Sequence, residues 1–153
     1  MRLTRQTNYA IRILMYCAAN EGRLSRIPDI AKAYSLSDLF LFKILQPLVE
    51  AGLVQTVRGR NGGVRLAKPA EEISLFDVIR VTEDNFTMAE CFEADSDCPL
   101  VDSCGLNQAL REALGAFFEV LSSYSIRDIV DARPNMRDLL GIEALPEVPA
   151  TVT

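Results

Sequence analysis

Between Thr4 and Leu66 the spacing of apolar residues changes from a helical period to an alternating one, which leaves few folds open to the first half of the chain. Ala10, Ile13, Leu14, Cys17 and Ala18 recur at three- and four-residue intervals, with Thr4 placed as an N-cap and Gly22 just past the end. Pro28 suits the opening turn of a short second helix through Ala33, which a Tyr34-Ser35-Leu36 turn stops. Ser37 is placed to cap a third helix with Leu41, Ile44, Leu45 and Leu48 on its buried face, Gly52 at its close and Pro47 bending its later part. Leu53 to Val57 then reads as a strand, Arg58 to Gly63 as a turn, and Val64 to Leu66 as the returning strand.

Two helices across a tight turn form a helix-turn-helix, whose second helix enters the major groove. Its exposed face includes Phe40 and Lys43, placed to reach a thymine methyl and a phosphate or base edge; simple packing would instead keep Phe40 in the core. The hairpin reads as a wing. Asn61-Gly62 favours a turn with positive backbone dihedrals, the small Gly62 and Gly63 let the backbone approach a phosphate, and Arg58, Arg60 and Arg65 supply charge. An arginine at the tip can also enter a narrow minor groove.

The net charge of −5 hides a division: residues 1–68 carry 11 Lys and Arg against 4 Asp and Glu, or +7, whereas residues 69–153 carry 5 against 17, or −12. A basic module facing a polyanion thus precedes an acidic one. No run approaches the ~20 apolar residues of a membrane span, and Ile11 to Ala19 has no cleavage pattern, so a cytoplasmic location with reduced cysteines is expected.

In the acidic half, Ser74 and Asp77 form a capping pattern with Ile73 able to staple against Val78. From Leu106 on, Leu110, Leu114, Phe117, Leu121 and Tyr124 form a helical seam that needs an apolar partner, and a symmetric copy is the simplest source. Between these helices lies Cys91-x6-Cys98-x5-Cys104, in a chain with one other cysteine and no histidine. Cys17 lies on the apolar face of the first helix and is excluded from this site. Closed zinc sites usually take four Cys or His ligands; a metal-free thiol switch is the second reading, although acidic surroundings disfavour thiolates; an iron-sulfur cluster tolerates three cysteines best. Enzymatic function has little support, since there is no histidine base, no nucleotide-type glycine loop and no Ser/His pairing.

Met1-Arg-Leu-Thr4, Gly52-Leu-Val54, Val57-Arg-Gly-Arg-Asn-Gly-Gly63 and the spaced cysteines together resemble the iron-sulfur winged-helix repressors that include IscR, NsrR and RirA, over a span reaching about Asp131. The resemblance implies a homodimeric, cytoplasmic bacterial repressor that binds a palindromic operator in double-stranded DNA. The fold expected is mainly α with a small β-hairpin: a winged helix-turn-helix over residues 1–68, a linker helix, cluster loop and dimerisation helix over 69–133, and a flexible tail over 134–153. DNA contacts are expected at Thr7, Ser37, Phe40, Lys43, Arg58, Arg60, Asn61, Gly62, Gly63 and Arg65. The implied cofactor is a 4Fe-4S cluster on Cys91, Cys98 and Cys104, passing to 2Fe-2S on iron loss. IscR-like proteins supply a histidine after the third cysteine, where this chain has Asn107, and NsrR-like proteins an aspartate near the N-terminus, where it has Asn8. Thr7-Asn-Tyr-Ala10 and Phe40-Leu-Phe-Lys-Ile-Leu-Gln-Pro47 look most like the RirA-type regulators, which implies iron supply as the signal. A redox or nitric-oxide sensing repressor of the same family, or a zinc or thiol-switch regulator, is the alternative.

Overall fold

The structure, a computed structural model, describes residues 2–144. Helices α1 (Arg5–Ala19), α2 (Ile27–Tyr34) and α3 (Asp38–Glu50) lead into the hairpin β1 (Val54–Val57) and β2 (Gly63–Leu66), followed by α4 (Leu75–Thr82), α5 (Gly105–Ser123), α6 (Ile126–Asp131) and α7 (Met136–Leu139). This is the mainly α fold with a small hairpin that the sequence predicts. Thr4 caps α1 by accepting from the Thr7 amide, and Gly22 sits at φ +83 beyond its end. Ser35 ends α2 in the left-handed region at φ 55, which turns the chain into α3. Ser37 has the extended backbone of an N-cap, but its exposed side chain makes no capping bond; only its carbonyl accepts, from Leu41 at 3.2 Å.

The hairpin pairs antiparallel from Val54 opposite Leu66 to Val57 opposite Gly63. Its positive φ falls at Gly59 (+108), not at Asn61-Gly62: with Arg58 to Gly62 between the strands, the reversal is spread over a longer loop than an Asn-Gly turn closes. A Cβ on Gly63 would lie 2.6 Å from the Ser25 carbonyl oxygen. Gly63 therefore serves the close approach at which Ser25 and Val64 exchange two 2.8 Å backbone hydrogen bonds, pinning the wing to the α1–α2 connection.

Helix α1 is the centre of the molecule and packs against α2, α3, α4, α6 and β2. Ala70, Ile73, Val78, Ile126 and Val130 share one core with Ala10, Ile13, Leu41 and Val64, so the compositional boundary at residue 68 does not divide two cores. Capping boxes at Ser74–Asp77 and Ser125–Asp128 start α4 and α6 side by side, where Leu75 donates to the Tyr124 carbonyl at 2.9 Å and Ile126 to that of Ile73 at 2.8 Å. The expected tail over 134–153 needs correction in its first part. Met136–Leu139 is helical, Leu140 and Ile142 are buried in the core, and Arg137 donates to the Ala19 carbonyl at 2.5 Å; residues 145–153 lie outside the described residues.

Thr7 is also corrected as a DNA contact. It is fully buried, and its hydroxyl is engaged with Thr82 Oγ1 at 2.7 Å and with the Glu83 carboxylate. That carboxylate also accepts from the Thr4 backbone N–H at 2.8 Å and from the Thr4 hydroxyl at 3.1 Å, latching the start of α1 to the end of α4. Partial burial raises the Glu83 pKa, but the hydrogen bonds from Thr7 and Thr4 outweigh it and hold the carboxyl below its ordinary 4.5. A carboxyl depressed on folding contributes stability that is present above its unfolded value and lost as pH falls through its folded value. Glu83→Ala should destabilise the protein by about 1–2 kcal/mol at neutral pH, with allowance for partial exposure. In urea titrations repeated down a pH series, this deficit should shrink below the ordinary value of 4.5; a deficit constant across the series would exclude the ionised latch.

Candidate nucleic-acid interface and thiol loop

Leu41, Ile44, Leu45 and Leu48 bury one face of α3, leaving Leu39, Phe42, Lys43 and Gln46 outward. Phe40 is 37% exposed and sits edge-on against Tyr9, ring centroids 5.4 Å apart, so it is neither fully outward nor part of the core. The sequence reading passed over Leu39 and Phe42, although they are apolar residues set off the buried stripe at helical spacing, which is a visible signal. The wing stands beside α3 across a groove that Phe42, Leu45, Gln46, Val49, Val57, Arg58 and Arg60 line. Arg58, Arg60, Asn61, Arg65 and Lys43 are exposed, and among the described residues none of these four cations joins an ion pair. Arg65 donates from Nε to Gln55 Oε1 across the hairpin at 3.3 Å. Unpaired guanidinium groups beside an outward helix form a surface suited to phosphates at its edge and bases at its centre.

All four cysteines are free thiols. Cys17 is buried, and burial pushes its thiol up to about 12, which leaves it inert and apart from the loop. Cys91 lies in a short 3-10 turn (Glu90–Phe92), Cys98 is exposed, and Cys104 is the N-cap residue of α5. Among the described residues no three His, Cys, Asp or Glu side chains already converge as a metal site. The Cys91 turn is nonetheless tied to α5, the helix that follows Cys104. Asn107, the one buried residue of α5, donates from Nδ2 to the Cys91 carbonyl at 3.1 Å, while its Oδ1 accepts from Arg111 Nε at 2.6 Å. The Arg111 guanidinium lies 4.7 Å from the centroid of the Phe92 ring. Phe118 packs on Phe76 and Phe86 at 5.0 and 4.8 Å, fixing the loop's entry between α4 and α5. Asn107 thus acts as a clamp on Cys91, with both ends of its amide engaged, and Asn8 is exposed on α1.

A helix-turn-helix with an arginine-bearing hairpin beside its second helix defines a winged-helix DNA-binding protein. Residues 3–132 match the Rrf2 family, described as "Iron-dependent Transcriptional regulator". The chain belongs to the Rrf2 family of transcriptional regulators. It is similar to protein aau3 of Rhizobium meliloti (strain 1021), with 73% identity over 144 residues covering 94% of each chain. It is also similar to the HTH-type transcriptional regulator NsrR of Bacillus subtilis (strain 168), with 42% identity over 94% of this chain and 99% of the relative. CymR, the global cysteine regulator of B. subtilis, superposes with a TM-score of 0.70 at 27% identity, over 87% of this chain and 98% of CymR.

The clamp can be tested without metal. Asn107→Ala removes both amide bonds, so alkylation of Cys91 in the metal-free protein, followed by peptide mass spectrometry, should quicken about tenfold, the equivalent of about 1.4 kcal/mol and within the range for lost buried hydrogen bonds. Cys98 should be labelled at its former rate. Unchanged labelling of Cys91 would show that the turn does not depend on the clamp.

Proposed function

We propose that this Rrf2-family regulator is an iron-responsive repressor that acts as a homodimer, with Cys91, Cys98 and Cys104 holding an iron-sulfur cluster. The observation that carries the reading is three free thiols on the single segment that joins the α4 end, latched to α1, to the α5 start. The donor set fits such a group in kind: soft thiols, no competing histidine, and one exposed member on a loop able to move. When bound, a cluster supplies an occupancy that depends on available iron. The chain supplies the rest. Asn107 and Arg111 hold the Cys91 turn on α5, Cys104 stands at the N-cap position of that helix, and Thr4, Thr7 and Glu83 tie the loop's other flank to the reading head.

The dimer is supported by α5. Leu106 is 63%, Val120 55% and Tyr124 48% exposed, and such a run of apolar side chains along one helix suits a second copy of the same helix. Two heads related by a two-fold axis would read a palindromic operator, with the spacing between them set by α5.

Replacing any of Cys91, Cys98 or Cys104 with Ala should abolish iron and sulfide in anaerobically purified protein, while Cys17→Ala should retain both. Stripping iron by chelation at fixed salt should change affinity for a duplex enriched from a random pool by about 10²-fold, near 2.7 kcal/mol. Equal affinities before and after chelation would exclude iron control. A full switch driven by thiol oxidation in metal-free protein would favour the thiol reading instead.

The wing is tested separately by Arg58→Ala, Arg60→Ala and Arg65→Ala. Each lost phosphate contact should flatten the dependence of log affinity on log salt by about one unit. A triple variant with the wild-type slope would place the wing outside the interface.

A further inference from the structure

The outward face of α3 is unusual for a helix beside so many cations. Leu39 is 77% and Phe42 57% exposed, three residues apart, and Val49 continues the same side at 39%. The helix has no arginine and a single lysine, Lys43, so its capacity to read guanine rests on that one side chain. The amide nitrogen of its outward Gln46 is engaged by Glu50 Oε1 at 3.0 Å. Phe40, the other aromatic at the front of the helix, is partly committed to Tyr9. Apart from Lys43, what α3 offers freely along this side is therefore hydrocarbon.

Lys43, Arg58 and Arg60 flank this patch, so a polyanion placed against them brings its interior over the apolar side chains and its phosphates over the charges. Among the groups displayed on base edges in the major groove, the C5-methyl of thymine is the apolar one. We infer that α3 selects DNA through thymine methyl groups, with Leu39 and Phe42 as the specificity-determining residues at the A·T pairs they cover. This rests on the placement of α3 in the major groove but on neither the cofactor nor the signal. It also accounts for the exposure: two large apolar side chains in water are unfavourable until a methyl-bearing surface covers them.

The test uses the full-length, anaerobically purified protein and the duplex that it enriches from a random-sequence pool. Each thymidine of that duplex is replaced in turn by deoxyuridine, which keeps the base pair and deletes only the methyl. Binding should weaken about fourfold for each contacted methyl removed, as expected from ~0.8 kcal/mol per buried carbon group. Leu39→Ala/Phe42→Ala should bind the two duplexes equally while keeping the wild-type salt slope, since its phosphate contacts are untouched. Both positions are exposed, and the uracil comparison on wild-type protein needs no variant. Equal wild-type affinity for thymine and uracil duplexes would overturn the assignment, as would discrimination that survives in the double variant. If that variant loses its oligomeric state in sedimentation while discrimination persists, the face belongs to a second copy of the chain and the proposal falls. Loss of salt-dependent binding to any duplex would instead refute the groove placement itself, and the chelation response is read independently of both.

Discussion

The packing of α1 between two sets of elements is the constraint from which the rest of the architecture follows. Ala10, Ile13, Leu14, Cys17 and Ala18 face α2, α3 and β2 in one direction and α4 and α6 in another, so the helix belongs equally to the winged helix and to the acidic half. A helix apolar around so much of its circumference cannot be stable with one set of partners alone. The basic and acidic portions of the chain are consequently one packing unit, despite their opposite charge.

That shared helix gives the thiol loop a short mechanical route to DNA. The loop leaves α4 directly after Thr82 and Glu83, both bonded to Thr7 on the first turn of α1, and returns at α5 through Cys104 and Asn107. Any change that reshapes the loop acts on the end of α4 and the start of α5 at once. Close-packed interiors respond to such a displacement by moving elements as units. With α3 and α4 also in contact, the recognition helix is separated from the loop by a single helix.

Much of this was legible in the sequence because local rules and tertiary packing agree there. The three-helix spacing, the Ser74–Asp77 capping box, the hairpin strands and the inert Cys17 all follow from side-chain periodicity or from hydrogen bonding within a few residues. The misses are positions where a distant partner decides. Thr7 looks like a polar residue available to DNA, but Thr82 and Glu83, more than 70 residues away, take its hydroxyl into the interior. Ser37 occupies the right backbone position without making the cap, and the reversal in the wing falls at Gly59 because loop length, rather than the Asn-Gly pair, sets its geometry. The proline-bearing C-terminal stretch reads as unstructured until Leu140 and Ile142 find the α1 side of the core. In the thiol loop, spacing singled out three cysteines on one segment but could not reveal that Asn107 is spoken for by Cys91 and Arg111.

The strap formed by α7 and residues 140–143 closes the fold late in the order of synthesis. The Ala19 carbonyl at the end of α1 is satisfied by Arg137, 118 positions later, and Arg23 reaches the Glu143 carbonyl across a separation of 120. A ribosome releases the winged helix long before it releases those partners. The reading head therefore leaves the exit tunnel with the end of its central helix unfinished, and completes its packing only after the whole thiol loop has emerged. Order of synthesis thus places the thiol loop ahead of the finished winged helix, whose central helix is completed last.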